Sequence, residues 1–133
     1  MDSAKLESCP LGAHFQLSSK QCLEKRSEIE GMLNIPYAST VGSLMYAMIC
    51  TQPDIAYSLG LVSRFLSRPR KEHWEAVKWI LRYFKGTSDI CICYGSRTGL
   101  QGFTDADMTD DVDSMKSTSG YVFTYAGGAI SWQ

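Results

Sequence analysis

Five aspartates fall within nine residues, Asp105, Asp107, Asp110, Asp111 and Asp113, with no basic residue among them. Hydrolysis of the two-metal type needs several carboxylates converging on a pair of hard cations, which activate water and stabilise the leaving oxygen. The run Gly102-Phe103-Thr104-Asp105-Ala106-Asp107 sets two of these aspartates on one face of a strand. A calcium loop of the EF-hand type opening at Asp105 fails on its own pattern. Asp110 would take the sixth position, which demands glycine, and Lys116 the twelfth, which demands a bidentate acid. Asp110, Asp111 and Asp113 read instead as a polar turn whose carboxylates accept backbone N–H groups. Asp105 is left as the candidate catalytic and metal-ligating residue.

A second cluster has the opposite sign. Arg64, Arg68, Arg70, Lys71, Lys78, Arg82 and Lys85 face only Glu72 and Glu75 over the same stretch, although the whole chain has a net charge of -1. At about 100° per residue, Lys71, Lys78, Arg82 and Lys85 fall within an arc of roughly 60°, beside the apolar stripe. Such a ridge can track a phosphate backbone by releasing counterions, without reading sequence. The plainer reading is a solvated helix face with a weak Glu75–Lys78 pair. Trp79 and Tyr83 lie off the core stripe, placed either to stack on bases or to be covered by a neighbouring domain.

The elements that must position these groups follow from periodicity. Residues 1–36 lack a sustained pattern and are expected to form an extended or loosely packed arm with a short helical turn. Val41, Leu44, Met45, Met48 and Ile49 mark an amphipathic helix that stops at Thr51-Gln52-Pro53. Ile55, Leu59, Val62 and Leu66 mark a second helix, ending at Ser67-Arg68-Pro69. Trp74, Val77, Leu81 and Phe84 mark a third over about 71–85, with Gly86 as its C-cap. Beyond it, Ile90–Tyr94, Leu100–Ala106, Gly120–Tyr125 and Ala129–Trp132 read as strands between glycine-rich turns. The fold class is therefore α+β: an arm over 1–36, a three-helix unit over 37–87 and a small antiparallel sheet over 88–133.

The chain has 133 residues, 44% of them hydrophobic and 20% charged, within the globular range. Five cysteines at irregular spacing, with no C-x-x-C pair, argue against a disulfide framework or a zinc knuckle. Cys91 and Cys93 alternate with Ile90 and Ile92, share a strand face and are expected to pack as small hydrophobes. No segment has the length of a signal core or a membrane span, so the expected setting is intracellular, cytoplasmic or nuclear, without a membrane partner.

Three segments carry a resemblance. Pro36-Tyr37-Ala38-Ser39-Thr40-Val41-Gly42-Ser43-Leu44-Met45-Tyr46, Thr51-Gln52-Pro53-Asp54-Ile55-Ala56-Tyr57 and His73-Trp74-Glu75-Ala76-Val77-Lys78-Trp79-Ile80-Leu81-Arg82-Tyr83 closely resemble the copia-type LTR retrotransposon Pol polyprotein. The likeness continues through Thr104-Asp105-Ala106-Asp107 and Lys116-Ser117-Thr118-Ser119-Gly120-Tyr121 to Ser131-Trp132-Gln133. It implies the end of a reverse transcriptase, with thumb-like helices that would hold a template-primer duplex, followed by the first antiparallel strands of an incomplete RNase H-like fold. By that resemblance Asp105 is the first metal-binding aspartate of RNase H, and the implied cofactor is Mg²⁺ or Mn²⁺. The implied partners are an RNA/DNA hybrid or duplex and the remainder of the Pol polyprotein.

Departures from the family pattern limit the expectation. The paired aspartates of the polymerase signature are expected upstream of Met1, and the other RNase H carboxylates beyond Gln133. Asp110 stands where the family commonly has glycine, and Met115 where it commonly has a basic residue. One aspartate cannot hold two metals, so the expected state is a polymerase and RNase H fragment that is inactive alone. The alternatives are a sequence-independent nucleic-acid-binding module and a non-functional pseudogene product.

Overall fold

Pro36 and Pro53 open two of the helical elements, as a residue with φ preset near the helical value does at a first turn. The computed structural model describes residues 6–18, 26–96, 98–107 and 118–133. In chain order it contains α1 (Arg26–Leu33), α2 (Tyr37–Cys50), a 3-10 turn (Pro53–Ile55), α3 (Ala56–Ser63), α4 (Lys71–Gly86), β1 (Leu100–Asp107), β2 (Thr118–Tyr125) and β3 (Gly128–Trp132). The α+β class holds: among the described residues α2, α3 and α4 are the three helices expected over 37–87, and α1 is a fourth, within the arm. The chain divides into two compact units between Ile90 and Cys91.

The core of the first unit comes from α2, α3, α4 and the 3-10 turn. Tyr37, Val41 and Leu44 enter it from α2, Ile55 from the turn, Leu59 and Val62 from α3, and Ala76, Val77 and Ile80 from α4. Each such aliphatic residue contributes on the order of 1.5–3 kcal/mol by leaving water. The apolar stripe of α2 is narrower than its sequence suggests: Met45 is 39% and Ile49 66% exposed. Leu66 is also exposed, because α3 ends at Ser63 and the turn at Phe65 and Leu66 rotates it off the stripe. On α4 the fully buried face is His73, Ala76, Val77 and Ile80, with Trp74, Leu81 and Phe84 flanking it. Gly86 is the last helical residue and not the cap. Thr87 caps α4 through its N–H to Tyr83 O and its hydroxyl to Tyr83 O and Phe84 O, and it exchanges hydrogen bonds with Gln52.

The described part of the N-terminal segment touches the core. Leu11, Phe15 and Leu17 lie against the core, and α1 extends over eight residues.

In the second unit, β1, β2 and β3 form an antiparallel meander in that order, with Asp105 opposite Gly120 and Asp107 opposite Thr118. Ala126 and Gly127, with φ of 53° and 81°, make the two-residue turn from β2 to β3. Turns with both central residues at positive φ match the twist of the paired strands. A bulge near Phe123 and Thr124 shifts the β2–β3 register. The expected strand at Ile90–Tyr94 does not form a ladder. Its last residues are tied to the hairpin otherwise, by Tyr94 OH to Ala129 O at 2.8 Å and Gly95 N–H to Ala126 O at 2.6 Å. Gly128 is required there, since a Cβ would lie 2.6 Å from the Tyr94 ring.

Candidate nucleic-acid interface and acidic strand

Four of the basic candidates, Lys71, Lys78, Arg82 and Lys85, ride on α4. Arg64 caps the end of α3, and Arg68 and Arg70 lie in the turn between the two helices. Arg64, Arg68, Lys71 and Lys85 are exposed. Arg70 is half-buried, with Nη1 shielded from solvent and without a hydrogen-bond partner. Lys78 and Arg82 are engaged. Lys78 Nζ donates to Glu75 Oε1 at 2.6 Å, the i, i+3 pair expected from sequence. Arg82 donates from Nε to Lys78 O at 3.3 Å, sits 5.7 Å above the Trp79 ring centre, and has Nη1 3.7 Å from Glu7 Oε1. The ridge is thus uneven: its ends face solvent, while the N-terminal segment supplies an acid to Arg82.

That segment also covers Trp79. The indole N–H donates to Cys9 O at 3.0 Å, and the ring meets His14 and Phe15 edge-on at 5.2 and 5.7 Å. Tyr83 donates its hydroxyl to Asp54 Oδ2, and this bond, with lesser help from burial, pushes its pKa up to about 12. The chain's own residues therefore occupy the two aromatic side chains that could have stacked on bases. Little in local sequence signals this contact, because Cys9 and Trp79 are seventy positions apart.

His73 was not singled out from sequence. It is buried, accepts the Arg70 backbone N–H on Nδ1 at 3.0 Å and stacks on Phe65 at 3.9 Å. Accepting on Nδ1 fixes the neutral tautomer with its proton on Nε2. Its position three residues after Arg70, at the start of α4, is the only local signal of that capping role.

In the sheet unit, Asp105 is exposed in the interior of β1. Thr104, Asp105, Ala106, Ser119, Gly120, Tyr121 and Gln133 line one open hollow of about 460 Å³. Gln133 extends β3 through paired backbone bonds with Tyr121, at 3.1 and 3.2 Å, and so closes one side of it. Among the described residues no three His, Cys, Asp or Glu side chains are grouped to hold a metal. Asp110, Asp111 and Asp113 lie outside the described residues, as does Lys116. Cys91 and Cys93 keep to one side, as expected, but both are exposed instead of packed in a core. No described helix is long and apolar enough to cross a membrane.

No protein-family model and no solved structure matches the chain. Individual proteins do. The chain is 58% identical over its full length to the retrovirus-related Pol polyprotein from transposon TNT 1-94 of Nicotiana tabacum, of which it covers 10%. It is 45% identical, over 77% of its length and 73% of the relative's, to the secreted RxLR effector protein 161 of Plasmopara viticola. Against the retrovirus-related Pol polyprotein from transposon RE2 of Arabidopsis thaliana it is 38% identical, over 72% of the chain and 7% of that polyprotein. The first match runs the whole length of a chain that spans a tenth or less of these polyproteins, and homologues that are retrovirus-related Pol polyproteins from transposons support a stretch of a retrotransposon Pol polyprotein.

Proposed function

We propose that this chain is the stretch of a copia-type Pol polyprotein that joins the end of the reverse transcriptase to the start of RNase H, serving RNA-directed DNA synthesis and cleavage of RNA/DNA hybrids. The helical unit acts as a thumb-like surface for duplex, and β1 carries the first aspartate of the nuclease site. The observation that carries this reading is Asp105 in the interior of the first strand of an antiparallel meander, opposite Gly120 and beside an open hollow.

A divalent cation, Mg²⁺ or Mn²⁺, would supply water activation at such a site. Asp105 alone is too small a donor set for two cations, so no hydrolytic step is assigned to the described residues. Their contribution is to hold one carboxylate on a rigid strand and to present cations to phosphate.

The test has two arms. Incubated with an RNA/DNA hybrid and Mg²⁺ or Mn²⁺, the chain alone should release no product, and cleavage abolished by Asp105→Asn would overturn its inactivity. Binding to the same hybrid should weaken steeply with salt, and neutralising Lys71, Lys78 or Arg82 singly should lower the log–log salt slope by about 1 each. A flat salt response would remove the duplex-binding role.

A further inference from the structure

The sulfur atoms of Cys91 and Cys93 are 3.8 Å apart, and both residues are exposed. Nothing in the proposed polymerase or nuclease role uses them. We propose that Cys91 and Cys93 form a redox-active dithiol that closes into an intramolecular disulfide by exchange with oxidised glutathione.

The geometry supports closure. Residues i and i+2 of an extended segment have Cα atoms about 6.6 Å apart, inside the 4.4–6.8 Å range that a disulfide spans. That spacing is near the upper limit, so Ile92 must pucker for the bond to form. It can do so without breaking a ladder, because 90–94 belongs to no strand. Tyr94 and Gly95, tied to the hairpin, anchor the segment on one side.

The order of attack follows from the bond between the two thiols. The two sulfurs lie within hydrogen-bonding reach, and that bond and the Cys91 charge push the Cys93 thiol up, which disfavours Cys93 as the first nucleophile. The Cys91 thiolate attacks one sulfur of oxidised glutathione, forming a mixed disulfide and expelling one glutathione thiolate. Cys93 then loses its proton to solvent and attacks the Cys91 sulfur, expelling the second thiolate, which is protonated in turn. One dithiol is oxidised and one glutathione disulfide reduced to two thiols. An exposed disulfide closed across a single intervening residue is readily reduced again, which makes the change reversible.

Sequence provides a clean readout, because trypsin cutting after Lys85 and Arg97 yields a peptide whose only cysteines are these two. The whole chain is incubated with oxidised glutathione, folded and in urea, then quenched with an alkylating agent and mapped by mass. In the folded chain the peptide should lose two hydrogens and both alkylation sites, faster than in urea, and dithiothreitol should restore both. The Cys93→Ser chain should accumulate a single glutathione adduct on Cys91. Two stable glutathione adducts on the wild-type peptide, persistent double alkylation while Cys9 or Cys50 is modified, or closure no faster in the folded chain than in urea would each overturn the proposal. A Cys93→Ser chain without an adduct on Cys91 would overturn the order of attack.

Discussion

The helical unit and the sheet unit spend their apolar residues differently. Every described large hydrophobic residue that is fully buried belongs to the first, whereas Leu100, Phe103, Phe123, Tyr125 and Ile130 of the second are exposed. In the register of β1 and β2, Leu100 and Phe103 fall on opposite faces, so the sheet is apolar on both sides. A helical unit with a closed core has stability of its own to lose. The meander is held mainly by backbone ladders, and its side chains contribute little until something covers them.

The largest effect that could break this contrast is in the cores. Ile80→Ala should cost about 2–5 kcal/mol, enough to unfold a large share of a marginal domain. Phe103→Ala, at a side chain 58% exposed, should stay within about 0.5 kcal/mol. Urea unfolding followed by far-UV circular dichroism on both variants decides the matter. Equal losses would mean that the sheet has a core of its own.

A matched pair of tyrosines sharpens the comparison. Tyr37 donates to Val62 O at 2.7 Å in the buried core, and Tyr94 to Ala129 O at 2.8 Å in the open sheet unit. Tyr37→Phe removes a buried hydrogen bond, leaving Val62 O with the Phe65 N–H alone, and should cost about 1 kcal/mol, while water replaces the bond lost in Tyr94→Phe at a cost of a few tenths. Burial also pushes the Tyr37 pKa up from 10.0 to about 12. A raised pKa favours the neutral form in the folded state, so this contribution is complete below pH 10 and is lost as the pH rises through about 12. Stability measured from pH 9 to 12 should fall less steeply in Tyr37→Phe, and a profile parallel to wild type would show that the phenol does not link to folding.

How much of this was legible in the sequence depends on the range of the contacts. Val41, Leu44, Leu59, Val62 and Val77 were readable as core because period 3.6 is a local property of a helix. Ala76 and His73 were not, since a small side chain and a polar one carry no hydrophobic signal. The strands around Asp105 followed from alternation and glycine turns, but 90–94 alternates equally well and forms no ladder, because ladder formation depends on a partner edge. The N-terminal segment was unreadable for the same reason: its order comes from Trp79, Arg82 and the helical core, far along the chain. For the site, the aspartate on β1 and the basic helix were visible as composition, whereas the engagement of Arg82 and Trp79 was not.

The smallest effect separates two ion pairs within the helical unit and bears on what its surface is for. Glu75 pairs with Lys78 between half-exposed partners, and Glu7 approaches Arg82 with less solvent around it. Glu75→Gln and Glu7→Gln should each change stability by about 0.2–1 kcal/mol or less, as such surface pairs do. Their effects on hybrid binding should be more telling. Removing either acid frees a cation on the ridge for phosphate, so affinity at low salt should rise, and the gain should vanish as salt screens the interaction. If Glu7→Gln strengthens binding at low salt and Glu75→Gln does so equally, the whole ridge lies against the duplex. A gain confined to Glu75→Gln would mean that the N-terminal segment stays over Arg82 when nucleic acid binds, leaving contact to Lys71 and Lys78.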